Sequence, residues 1–300
     1  MTRRKLLPEA LDEGAFSIQD ALELGVPAGR MRALDLETPF RSLRARVVDW
    51  GDIHSICEMY AKVMPVDAAF SHVTAARLYG VPLPRSLEQR ESIDVVTRTI
   101  QVRAEGVIGH RSDTVKVHWI DGLPVVNPAL VWIQLGTILS TKYCVIAGDF
   151  LIRREDPLCT VDELAALVAD SRGVRGIRSI RHALTRIRPG TDSPMESLLR
   201  LLIVDAGLPE PVIGHKIYGS RGDYIGRPDL AYVAPKIAIE YEGERHQADP
   251  VRFARDIERR ERMQEAGWYV IRVISEHVYE RPSWLTARVA RVLEERSRVQ

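Results

Sequence analysis

Long apolar runs are missing from this 300-residue chain. No stretch approaches the ~18 unbroken apolar residues of a membrane-spanning helix, and residues 143–152, the nearest to one, carry Asp149. Membrane insertion is therefore not expected. Cysteine is scarce: Cys57, Cys144 and Cys159 lie far apart and form no CxxC pair, which argues against a zinc site and against a disulfide framework. They read as reduced core thiols. An excess of one charge is also lacking. With a formal net charge of +1, any nucleic-acid contact must come from local arginine patches rather than from a global field. The first residues have the basic start of a signal peptide but not its apolar run or small-residue cleavage site, so a cytoplasmic location is expected. Repeats and low-complexity segments are absent.

What is present exceeds the roughly 100–200 residues of one ordinary domain, so two or three are expected. Residues 14–50 read as a small helical unit. Ser17 is placed to cap a helix to Leu24, Gly25 ends it, and Pro27 opens a second helix through Leu36. Residues 40–48 have the pattern of a strand from which Arg41, Arg44 and Arg46 project. A winged helix that touches DNA through Arg44 and Arg46 fits this order. A helical hairpin that merely packs on the rest fits it equally, because Asp35 and Glu37 sit where a DNA-reading helix is usually basic. Residues 51–188 form a middle α+β domain, with helices expected near 55–64, 71–79, 127–139, 142–153, 160–170 and 175–187, and strands near 92–97 and 115–119. His72, His110 and His118 are scattered there without metal-ligand spacing and read as structural or surface residues. The breaker cluster of residues 188–192 marks the boundary to a third domain, 189–300.

That last segment carries the chemistry. Ser193, Pro194 and Glu196 form a capping box, so Glu196 serves the helix start and, from the same place, can face a site beside it. Residues 212–218 and 224–233 read as strands joined by a turn-rich link, with Asp229 in the second. Residues 236–242 alternate so that Ile237, Ile239 and Tyr241 face one way and Ala238, Glu240 and Glu242 the other. Two acids at i and i+2 in an apolar strand repel each other and resist desolvation unless a cation compensates. Mg2+ or Mn2+, hard ions that take oxygen ligands, would do so, with Asp229, Glu240 and Glu242 as the expected ligands. His246 follows the strand. On a helix over residues 250–266, Arg255, Arg259 and Arg262 continue a basic stripe begun at Arg252, suited to phosphates or to pairing with Glu258, Glu261 and Glu265. Residues 268–273 form a returning strand, and 282–297 a final helix.

The order helix, strand, strand, acidic strand, helix, strand, helix implies an α/β domain with a mixed sheet flanked by helices. Residues 193–275 resemble the PD-(D/E)XK nuclease superfamily, in the branch related to Vsr endonucleases and the DUF559 domain. The resemblance rests on Ser193 to Glu196, Arg227 to Ala231, Ile237 to His246, Arg255, Asp256, Arg259, and Ala266 to Arg272. It implies a restriction-endonuclease-like fold and metal-dependent DNA cleavage with Glu196, Asp229, Glu240, Glu242 and His246 as site residues. The lysine of the superfamily name is absent, and Glu242 stands at its position, which leaves His246 and Arg255 to orient water and offset charge. Residues 1–185 resemble the N-terminal region of AbiEi-type antitoxins and transcription regulators, through residues 69–82 and 121–125. That resemblance implies an alternative: a DNA-binding regulator whose nuclease-fold domain cleaves nothing. Protein partners and oligomeric state are left open.

Overall fold

β1 (Ala15–Ser17) leads into α1 (Ile18–Glu23), which Ser17 starts by a reciprocal cap: its hydroxyl accepts the Asp20 N–H (3.0 Å), and the Asp20 carboxylate accepts the Ser17 N–H (3.3 Å). The computed structural model describes residues 6–11, 14–99, 102–243 and 250–298. The chain divides into two compact units, Met1–Cys144 with Asp162–His182, and Val145–Val161 with Ala183–Gln300.

In the first unit, α1 packs its buried Ala21 with Leu7, Leu11, Phe16, Val26 and Met31. The second helix expected over residues 27–36 is only a 3-10 segment, Ala28–Arg32. Ala33 turns extended (ψ 144°), and Arg30 folds back onto the Asp35 carboxylate at 2.8 and 3.0 Å. The strand expected over residues 40–48 shortens to β2 (Leu43–Ala45), antiparallel to β1. Arg44 does not project from it. Its guanidinium donates to the carbonyls of Met31 (2.7 Å) and Leu43 (2.6 Å).

The middle segment matches the expected helices closely: α2 (Ile53–Ala61), α3 (His72–Leu78), α5 (Pro128–Leu135), α6 (Thr141–Leu151), α7 (Val161–Asp170) and α8 (Ile177–Leu184), with a further short α4 (Arg85–Glu88). The two strands expected near 92–97 and 115–119 are β4 (Ile93–Thr97) and β7 (Val117–Ile120). They belong to a larger sheet that also holds β3 (Ala69–Phe70), β5 (Arg103–Ala104), β6 (Val107–Arg111) and β8 (Leu123–Val126), in the order β5-β6-β4-β3-β8-β7. Parallel pairs (β4/β6 and β3/β8) mix with antiparallel ones. Trp132 on α5 is fully buried, and its indole N–H is satisfied by the Cys144 carbonyl at 2.7 Å.

The second unit is built on α9 (Pro194–Asp205), β9 (Val212–Ile213), β10 (Ile217–Tyr218), β11 (Tyr224–Gly226), β12 (Leu230–Tyr232), β13 (Ile237–Tyr241), α10 (Pro250–Glu265), β14 (Tyr269–Val273), α11 (Ser275–Tyr279) and α12 (Pro282–Ser297). Each strand expected on either side of the Gly219 turn is in fact two. Gly214, at φ +56°, separates β9 from β10, and Pro228, which has no N–H for a ladder, falls between β11 and β12. β10 and β11 therefore close a hairpin of their own. β12 and β9 join β13 and β14 in a four-stranded mixed sheet, ordered β14-β13-β12-β9. β13 and β14 run parallel, and the other neighbours antiparallel. α10 packs on β11 and β14, so that Met263 and Trp268 cover Ala231 and Ala238 on one sheet face together with Ile217 and Ile225. The α/β expectation of mixed sheets flanked by helices is met. Among the described residues, no helix is long and apolar enough to cross a membrane.

Candidate active site

Asp229 immediately precedes β12, and the register Leu230↔Ile239 carried one step further sets it opposite Glu240 on β13. Residues directly opposed across an antiparallel pair share a face. That face is the one on which Ala238 meets Met263 of α10, so Glu240, two residues on, also points toward α10. Met263 and Arg259 are four apart on that helix and lie on one side of it. Arg259 accordingly reaches the carboxylate of Glu240, a residue only 6% exposed. Asp229, Glu240 and Glu242 all line a cleft of about 700 Å³ with Arg227, Arg259 and Arg260.

The electrostatics separate these acids. Asp229 Oδ2 accepts the Tyr241 N–H at 2.7 Å, but burial and the charges of Glu196 and Glu240 outweigh that bond and the pull of Arg259, raising its pKa to about 7. Burial raises Glu196 as well, against a hydrogen bond from the Asp192 N–H to its Oε2 (2.9 Å). Burial opposes the charge of Arg259, yet Glu240 and Asp256 hold its pKa above the ordinary value. Among the described residues Asp229 forms no ion pair, whereas Glu242 is held by Arg260 (2.8 Å) and by Arg272, whose Nε donates at 2.5 Å and whose second bond is shorter.

Glu196 is a cap residue, though not in a closed capping box: Ser193 Oγ accepts its N–H at 3.2 Å, while its carboxylate accepts the Asp192 N–H and bonds to the Ser193 side chain rather than to the Ser193 backbone N–H. His246 lies outside the described residues. Arg255 is exposed. Arg259 pairs with Glu240, and Arg262 with Asp223 (2.6 Å), so neither partner is one of the helix's own glutamates. Arg46 is exposed at the surface of the first unit. Sequence reasoning missed Arg260 and Arg272 as partners of Glu242. No local spacing signalled either pair, because the partners lie 18 and 30 positions from Glu242.

The histidines of the first unit are not scattered. His72 and His110 stack with ring centroids 3.6 Å apart, and His110 Nε2 lies 2.9 Å from Asp94 Oδ1, a carboxylate that is 1% exposed. His118 stands elsewhere, 3.2 Å from the Asn127 amide. Burial, the neighbouring imidazole and Arg90 lower the pKa of His72 to about 3, and burial with Arg90 lowers that of His110. Only strand pairing, with Asp94 beside Ile108 in the parallel β4/β6 ladder, brings these residues together.

No family model matches the chain. No solved structure matches it. Two proteins of Mycobacterium tuberculosis, named Uncharacterized protein MT2308 and Uncharacterized protein Rv2248, are each 30% identical to it over 222 residues, which cover 74% of this chain and 79% of each relative. The chain belongs to the same family as these mycobacterial proteins.

Proposed function

We propose that the second unit is a PD-(D/E)XK domain of the Vsr-like, DUF559-related type, with a restriction-endonuclease-like fold, and that it hydrolyses DNA phosphodiester bonds with Mg2+ or Mn2+. One observation carries this reading: Asp229 and Glu240 are opposed across β12 and β13 in one cleft, and Asp229 is left without an ion-pair partner among the described residues. The order β14-β13-β12-β9, with α10 over one face, supports it.

The donors suit a hard cation. Carboxylate oxygens are its preferred ligands, and the raised pKa of Asp229 reflects buried negative charge that a cation would relieve. When bound, such an ion neutralises a non-bridging phosphate oxygen and acidifies a water. Asp229 and Glu240 offer its ligands, and Glu196 adds negative charge from the start of α9. Arg259 takes the place of the missing lysine as the cleft cation paired with Glu240, free to meet a phosphate once Glu240 has another partner. Glu242, fastened between Arg260 and Arg272, sets the cleft wall. His246 and Arg255 stay as expected helpers in orienting water.

The same arginine pairs favour a second reading. With Glu240 and Glu242 already matched by guanidinium groups, the cleft is neutralised internally, as befits a DNA-binding regulator of the AbiEi type that holds the nuclease fold as a scaffold. Its winged helix would lie in β1, α1, the 3-10 segment and β2. Incubation of the full chain with supercoiled, duplex and single-stranded DNA separates the two. Cleavage that needs Mn2+, stops with chelator and falls by about 10²–10³-fold in Asp229→Asn and Glu240→Gln supports the enzyme. A duplex shifted without metal and left intact supports the regulator.

A further inference from the structure

We propose that His72, Asp94 and His110 form a second metal site, in the first unit and independent of the acidic cleft, that takes a divalent transition-metal ion of the zinc class. One ligating atom from each residue, two imidazole nitrogens and a carboxylate oxygen, falls within a set whose members all lie within 4.8 Å of one another. Around a tetrahedral zinc at 2.0–2.2 Å, ligand atoms sit roughly 3.3–3.5 Å apart, so small rotamer adjustments would close the set on an ion. The donor set selects the metal: two imidazoles with one carboxylate suit zinc or iron(II), not magnesium or calcium.

The surroundings hold these three groups in place. Arg90 binds Asp94 Oδ2 and leaves Oδ1, the atom nearest His110, to face the imidazoles. Thr74 Oγ1 accepts the Asp94 N–H at 2.7 Å. Ser71 Oγ stands 3.0 Å from His72 Nδ1 and orients that ring, a role partners of metal-bound histidines commonly fill. Both imidazoles are partly exposed, which gives an ion a way in, while Asp94 closes the floor.

A plain buried ion pair explains Arg90, Asp94 and His110, but not His72. Its hydrogen-bond partner is Ser71, not Asp94, yet it stacks on a second imidazole from a left-handed backbone (φ +48°) clamped by Gln134 Oε1 on its N–H (3.0 Å). A non-glycine residue held there is strained, and such strain persists where the surroundings impose it at a site. With three protein ligands, a tetrahedral ion keeps one position for water or a ligand, as in catalytic rather than closed structural zinc sites.

The test uses the full chain, stripped with chelator, titrated with ZnCl2 by calorimetry and with CoCl2 by visible absorption. We expect zinc uptake and cobalt d–d bands in the wild type. In His72→Ala and His110→Gln, which circular dichroism should find folded, the bands should vanish and zinc affinity should drop by about 100-fold or more. His110→Gln, on a strand with a partly exposed ring, keeps the test valid if the His72 change disturbs α3. The double variant Asp229→Asn/Glu240→Gln should retain the bands. No zinc uptake by the wild type, bands that survive His110→Gln, or bands lost in the cleft variant would each overturn the proposal.

Discussion

Asp229 and Glu240 stand opposite each other across an antiparallel strand pair, and the backbone N–H of Tyr241, the residue after Glu240, donates to Asp229 Oδ2 at 2.7 Å. One acid is therefore tied to the strand that carries the other. Their roles differ by what reaches them from α10: Glu240 forms an ion pair with Arg259, and Asp229 feels that charge but forms no ion pair among the described residues.

The pH dependence of metal binding follows from Asp229. Its pKa of about 7 means that the ligand form is the minority at pH 6 and the majority at pH 8. Mn2+ affinity and any cleavage rate should climb across neutrality and then level off. Because the Glu240 charge is one cause of the shift, Glu240→Gln should lower the midpoint of the Asp229 titration, read by carboxyl NMR without metal. A midpoint that stays in place would remove Glu240 from the site.

The same shift has a consequence for stability. The folded pKa of about 7 lies above the ordinary aspartate value of 3.8, so the folded state holds a proton that the unfolded chain releases. Stability falls as pH rises from about 4 through 7, and above that the buried charge costs up to roughly 4 kcal/mol. Asp229→Asn removes that cost. In metal-free buffer the variant should melt above the wild type at pH 8 and close to it at pH 4. An equal gain at both pH values in thermal denaturation would contradict the assignment.

Asp149 and Arg200 form a fully buried ion pair at 2.9 Å, at 0% and 1% side-chain exposure. Arg200 also donates to Glu210 (2.9 Å) and to the Arg186 carbonyl (2.9 Å). Asp149→Ala removes the fully buried counter-charge of Arg200 and should destabilise the second unit by about 3–5 kcal/mol, whereas Asp149→Leu with Arg200→Met should recover most of that loss. Urea unfolding of the two variants checks the pair.

Gly176 is held at φ +78°, and a Cβ there would stand 2.1 Å from the Gly136 carbonyl oxygen. Neither the backbone conformation nor the space admits a side chain. Gly176→Ala should cost about 2 kcal/mol or more in chemical denaturation, with α8 the element displaced. Full stability in the variant would refute the close approach.

Much of the fold was legible from local pattern. Helices such as α5, α6 and α7 follow from apolar spacing and breakers, and β13 follows from its alternation. The acids of the cleft were legible for the same reason: two carboxylates at i and i+2 in an apolar strand stand out against the cost of burying them. Short strands were not legible. β3 and β5, two residues each, are held by pairing with remote partners and carry no period of their own. Nor was the splitting at Gly214 and Pro228, which moved Asp229 out of a strand and made β10 and β11 a separate hairpin.

The sequence by itself determined where most of the longer helices lie, which strand carries paired acids, and that a basic helix follows them. Caps, periods and breakers act over a few residues and are written in the order of the chain. Only the tertiary structure decided that Arg259 meets Glu240, that Arg260 and Arg272 enclose Glu242, and that His72 stacks on His110 beside Asp94. Those encounters join residues 16 to 38 positions apart, through strand register and the face that a helix turns to its sheet. No local propensity encodes such distances.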